Sequence, residues 1–208
     1  MKHLVLIAAC VATCACSKPE PAPSPADAAA PPAAAVASSA ASGSIAGSAH
    51  TTGTAVVVLE PKTARTFSPP GEKAVMDQAG LTFGPELLLV RTGYPVEFRN
   101  SDDTLHNVRV SHEETRTSAF NVAIPTGESY TYTFERDGFY RVGCDIHPAM
   151  AASVFAASSP FTALAGADGS FAFADVPTGA WTITVFADGK RRRKDVEVTG
   201  GVTNVTIE

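Results

Sequence analysis

Tyr130-Thr131-Tyr132-Thr133-Phe134, then Arg136-Asp137-Gly138, then Gly143-Cys144-Asp145-Ile146-His147-Pro148-Ala149-Met150 is the stretch on which the reading of this chain turns. Its first part alternates aromatic side chains with threonine, the period of a strand with one buried face. Asp-Gly then marks a turn. The same alternation recurs in Val96-Glu97-Phe98-Arg99 and in Trp181-Thr182-Ile183-Thr184-Val185, with further turns at Ala167-Asp168-Gly169 and Ala187-Asp188-Gly189. Ala55-Val56-Val57-Val58-Leu59 is a continuous apolar run of buried-strand length. From Gly43 onward no convincing helical period interrupts this pattern, so the expected fold class is all-β.

The third part of the stretch carries chemistry. Cys144, His147 and Met150 fall at three-residue steps on one short loop, and Cys144 is the only cysteine outside the first sixteen residues. A second imidazole lies upstream in Asn100-Ser101-Asp102-Asp103-Thr104-Leu105-His106-Asn107-Val108. Two imidazoles, a thiolate and a weak axial thioether form the donor set of a blue-copper centre, where soft sulfur stabilises Cu(I) and imidazole suits both oxidation states. Alone, His106 would read as a solvated loop residue and Met150 as core; the joint spacing favours a metal. Zinc is the weaker rival, because structural zinc sites use thiolates and imidazoles rather than thioethers. A Cys-His nucleophile is weaker still, since one tight loop rarely presents thiolate and base together to a substrate. His112, in Ser111-His112-Glu113-Glu114, reads as a solvated loop histidine, and His50 and Met76 as unremarkable.

The N-terminus reads as an export signal over residues 1–16. Lys2 and His3 precede an apolar run from Leu4 that is too short to span a bilayer. Ala15-Cys16-Ser17 is similar to the end of a bacterial lipoprotein signal, which implies lipidation at Cys16, with Cys14 or simple cleavage as alternatives. Ser17 leans the expected address towards the outer membrane, facing the periplasm. Residues 17–42 are almost entirely Pro, Ala and Ser, a composition that cannot bury enough apolar surface to order itself and reads as a tether. In an oxidising compartment cysteines normally pair, and an unpaired Cys144 there is explained by a metal. With 16 Lys and Arg against 21 Asp and Glu, the net charge of −5 argues against a nucleic-acid partner.

The Cys144, His147, Met150 spacing, with Pro148 directly after the histidine, resembles the short amicyanin-type ligand loop of the cupredoxins, and Val96-Glu97-Phe98 with Asn100, His106 and Asn107 resembles that family's first-histidine region. The resemblance covers roughly residues 75–157. It implies a Greek-key β-sandwich binding one copper ion through His106, Cys144, His147 and axial Met150, with Asn107 tying the two ligand segments together in the outer layer. A second resemblance lies in Asp168-Gly169-Ser170-Phe171-Ala172-Phe173 and Val176-Pro177-Thr178-Gly179-Ala180-Trp181, which is similar to the carboxypeptidase regulatory-like, transthyretin-like sandwich. The opening strand of that family is missing just before Phe161 but stands at Gly43-Ser44-Ile45-Ala46-Gly47. The expected organisation is therefore discontinuous: first strands of the small sandwich at 43–60, a copper domain at 70–158, and the rest of the sandwich at 160–208. Two sequential domains are the alternative.

These readings imply a periplasmic single-electron carrier rather than an enzyme, partnered by redox proteins and held to the membrane by an N-terminal lipid. The rivals are a copper-binding or copper-delivery lipoprotein, and a surface interaction module using the fold as scaffold. A multicopper oxidase is disfavoured by the lack of histidine clusters for a second copper centre. The dense charge run Lys190-Arg191-Arg192-Arg193-Lys194 reads as a solvated hairpin end, with docking to an acidic partner or anionic lipid as its functional rival.

Overall fold

Strand after strand fills the chain from Ser42 to Ile207, and no helix occurs among the described residues. The structure, a computed structural model, describes residues 41–208. The expected export signal, lipidation at Cys16 and the tether up to residue 40 lie outside the described residues.

The chain opens with β1 (Ser42–Ala49) and β2 (Val56–Pro61). Nine strands follow: β3 (Ala74–Ala79), β4 (Thr82–Gly84), β5 (Leu87–Arg91), β6 (Pro95–Asn100), β7 (His106–His112), β8 (Ser118–Ile124), β9 (Ser129–Thr133), β10 (Gly138–Gly143) and β11 (Ala151–Ala157). It closes with β12 (Thr162–Leu164), β13 (Ser170–Pro177), β14 (Gly179–Ala187), β15 (Lys190–Val198) and β16 (Val202–Ile207).

These strands form four sheets, ordered β4-β3-β6-β9, β5-β11-β10-β7-β8, β13-β1-β16 and β12-β2-β14-β15. The first two contain only strands from the middle of the chain; the other two combine its first two strands with its last five. Between the first pair lies a core that includes Met76, Phe98, Val108, Val110, Phe134, Val142 and Val154. Between the second pair lies another, with Ile45, Val57, Leu59, Trp181, Ile183 and Val205.

The apolar run at Ala55–Leu59 has a physical reason. Val57 and Leu59 enter the second core, whereas Val56 and Val58 point the other way and meet Phe155 and Ala157 of β11. β11 is covered on both faces too, with Val154 and Ala156 in the first core. A strand buried on both sides cannot alternate, so it reads as a continuous apolar run. Phe155 is boxed by the rings of Phe139, at a centroid distance of 4.6 Å, and Phe186, at 5.0 Å.

One local expectation is corrected and two are made more specific. His112 is the last residue of β7 and is buried, following Val108 and Val110 on the inward side. Its Nδ1 accepts the Thr115 amide hydrogen, its Nε2 faces the Asp137 carbonyl, and its ring meets Tyr140 edge-on. The Lys190–Lys194 run begins at the β14–β15 hairpin turn and is mostly exposed, as expected, and it forms the first half of β15, an outermost strand of its sheet. Cations along such an edge discourage pairing with other chains. Of the three Asp-Gly turns, only Ala187-Asp188-Gly189 closes a hairpin between paired strands, with Asp188 and Gly189 both at positive φ as a primed turn demands. The turns at Arg136–Gly138 and Ala167–Gly169 carry the chain from one sheet to another.

Candidate metal centre

β7 and β10 are antiparallel neighbours, with Gly143 opposite Arg109. The start of β7 therefore lies beside the loop that leaves β10, which brings His106 and Asn107 alongside Cys144 although His106 is 38 positions upstream of it. Both ends of the second loop are fixed by the β10–β11 ladder, where Gly143 pairs with Ala151. Inside it, the Met150 amide donates to the His147 carbonyl at 2.9 Å and the Cys144 amide to the Met150 carbonyl at 3.3 Å. Three-residue spacing thus gives a tight turn whose side chains at Cys144 and His147 point the same way.

His106 Nδ1, His147 Nδ1 and Cys144 Sγ converge. The two nitrogens are 3.0 Å apart, and the sulfur is 3.9 Å from His106 Nδ1 and 4.0 Å from His147 Nδ1. His106 is 0% exposed and Cys144 2%, while His147 is half-buried. The His147 amide also donates to Cys144 Sγ at 3.4 Å, a bond that steadies negative charge on sulfur. Met150, the expected axial donor, is buried beside Cys144 in the same core.

The outer layer is as ordered as the donors. Asn107 Oδ1 accepts the amide hydrogens of Asp145 at 2.6 Å and Ile146 at 3.3 Å, and the Cys144 thiol points to the same oxygen at 3.4 Å. Its Nδ2 donates to Asn121 Oδ1 and Asp145 Oδ2. Asp145 is gripped further by Arg109 and Asn121, and these bonds, Arg109 foremost, hold its carboxyl below the usual carboxylate range.

Two members of this layer had no role assigned from sequence. Buried Asn100 donates to the Thr104 and Ile124 carbonyls, and its Oδ1 accepts the Asp102 amide hydrogen, which shapes the loop ahead of His106. Asp102 Oδ2 lies 2.8 Å from His106 Nε2, and the Leu81 amide and then the His106 ring lower its carboxyl pKa. An Asn followed by polar turn residues is the signal for the first. A carboxylate four positions before a ligand-type histidine is the only, weak signal for the second.

The donor set fits copper. Two imidazole nitrogens face each other with a sulfur beside them, an arrangement that a cation satisfies. Bonds of about 2.0 Å to nitrogen and about 2.3 Å to sulfur allow one first-row ion to reach all three atoms at these separations. Softness favours copper, since thiolate and imidazole together with a thioether suit Cu(I).

Residues 71–156 match the family model of copper binding proteins, plastocyanin/azurin family. All of the expected ligands and Asn107 fall inside that match. No curated protein matches the chain. Among solved structures, an oxidised amicyanin variant is 24% identical, over 41% of this chain and 82% of that one, with a TM-score of 0.38. A purple cupredoxin from Nitrosopumilus maritimus is 22% identical, over 41% of this chain and 100% of that one, at 0.37. A copper-containing nitrite reductase from Thermus scotoductus is 25% identical, over 47% of this chain but only 25% of its own length, at 0.38. The family match and the convergence of His106, Cys144 and His147 together assign one copper site to this segment.

Proposed function

We propose that this chain is an exported blue-copper protein that carries single electrons between redox partners in the periplasm, tethered to the outer membrane through a lipid on Cys16. The observation that carries the electron-transfer reading is the unequal exposure of the two imidazoles. His106 and Cys144 are sealed, whereas His147 is half-buried and flanked by exposed Ile146, Pro148 and Ala149. An apolar surface around one conducting edge suits brief docking, because weak redox encounters use small interfaces.

Copper supplies the one-electron couple; the chain supplies everything else. His106, Cys144 and His147 would hold the ion, with Met150 as a weak fourth donor. Burial excludes water from the sulfur, and Asn107 fixes the ligand loop so that little moves when charge changes. The same burial disfavours copper delivery, where donors must be handed over in sequence. A discontinuous organisation, with the copper domain inserted into a second sandwich, is supported by the pairing of β1 with β13 and β16 and of β2 with β12 and β14.

Copper loading of the full chain, followed by visible and electron paramagnetic resonance spectra, tests the reading. An intense thiolate-to-copper band with fast electron self-exchange is expected. Absence of the band ends the blue-copper reading; a band with slow exchange and ready loss of copper to an acceptor favours delivery instead.

A further inference from the structure

His106 Nδ1 faces the other donors, so a bound ion takes that nitrogen's lone pair and leaves the ring hydrogen on Nε2. The ring is fully buried, and a buried N–H must find an acceptor. Asp102 Oδ2 stands 2.8 Å from it.

Asp102 is itself held from a distant part of the chain. Its Oδ1 accepts the Gly80 amide hydrogen at 2.5 Å and its Oδ2 that of Leu81 at 3.0 Å, both from the turn joining β3 to β4. The carboxylate thus has a fixed address before any metal arrives. Its side chain is 14% exposed, and among the described residues no Lys or Arg lies within ion-pair distance of it. Asp145 differs in this respect, since Arg109 pairs with it.

We propose that Asp102 is a positioning residue of the copper site: it locks His106 with its hydrogen on Nε2, aims Nδ1 at the metal, and places an uncompensated negative charge behind the ligand that favours the oxidised ion. A carboxylate behind a ligating imidazole raises its basicity and fixes its orientation. The proposal rests on the copper reading above. Two amides and a buried ring converging on one side chain are more than a turn-forming aspartate requires.

The test compares copper-loaded full-length wild type with Asp102→Asn, and with Asp103→Asn as a control. Asp103 is exposed and lies next in sequence, so its neutralisation removes the same charge from the same loop. Asp102→Asn should stay blue and shift the Cu(II)/Cu(I) equilibrium roughly tenfold towards Cu(I), a rise of about 59 mV for a one-electron couple. Asp103→Asn should give a clearly smaller shift. In the diamagnetic reduced protein, proton NMR should show a slowly exchanging hydrogen on His106 Nε2 in wild type and faster exchange in Asp102→Asn. Equal shifts in the two variants, or unchanged exchange, overturn the proposal. Should Asp102→Asn not fold, the wild-type spectrum decides alone, because His106 without a hydrogen on Nε2 is incompatible with the proposed lock. A wild type that shows no blue band overturns the copper reading and this inference with it; a blue wild type with an indifferent Asp102→Asn overturns only the role of Asp102.

Discussion

Asn107 Oδ1 accepts the Asp145 amide hydrogen at 2.6 Å, so the residue after one expected ligand holds the residue after another. The Ile146 amide and the Cys144 thiol share the same oxygen. Two segments that are far apart in sequence become one rigid piece. Asn107→Ala leaves both amides without a protein partner and frees the Asp145–Ile146 corner. Copper affinity should fall about 10- to 100-fold, the usual cost of losing such a partner, with the blue colour retained. Competition against a chelator measures it, and unchanged affinity would show that Asn107 is dispensable.

The two sulfurs should separate cleanly. Cys144→Ser keeps the size of the buried side chain but removes the soft donor, so the intense visible band should vanish. Met150→Leu retains the thiolate and should keep the colour while shifting the reduction potential, which the weak fourth donor tunes. A colourless Met150→Leu variant would contradict an axial role.

Phe155 tests the contact between the two layered halves. Its ring lies between Phe139 and Phe186 and is 2% exposed. Phe155→Ala should cost about 3–5 kcal/mol, the range for removing a fully buried aromatic ring. Thermal unfolding of the variant should split into two steps, while copper colour survives the first. A single sharp transition at the wild-type temperature would mean that the contact contributes little.

Acid should loosen the bonds between the first strands and the β14–β15 hairpin. Lys62 and then Thr182 lower the Asp195 carboxyl below its ordinary value, and Thr52 does the same for Asp188. A depressed carboxyl favours folding fully above the ordinary carboxylate range, and that contribution is lost as pH falls through the folded-state value. Melting temperature should therefore drop below about pH 4, and a double Asp188→Asn, Asp195→Asn variant should show a shallower drop. Both groups are exposed, so the change is small. Equal slopes for variant and wild type would locate the acid sensitivity elsewhere.

Much of this was legible because strands announce themselves locally. Alternation in Tyr130–Phe134 and Trp181–Val185 needs only one buried face, and Ala55–Leu59 carries the mark of two. The donor set was legible as residue types at a spacing, and Cys144 stood out as an unpaired thiol. What stayed hidden depends on contacts between distant segments. Asp102 matters through amides of Gly80 and Leu81, which no local pattern links to it. The turn at Arg136–Gly138 has hairpin chemistry, yet the flanking strands find partners elsewhere. His112 could have been found by extending the inward series Val108, Val110 by one step; the acidic pair after it suggested a loop instead. The run Lys190–Lys194 hid a strand because its outermost position, paired on one side only, needs no apolar face in those residues.

Val56 and Val58 pack against Phe155 and Ala157, and the chain crosses twice between the halves, so they meet through a buried apolar contact rather than a single linker. Such packing favours one separation between the His147 edge and the other half. Electron tunnelling decays exponentially with distance. A partner gripped by the far half would meet the metal at a set range, and transfer would be governed by a built-in gap rather than by a search.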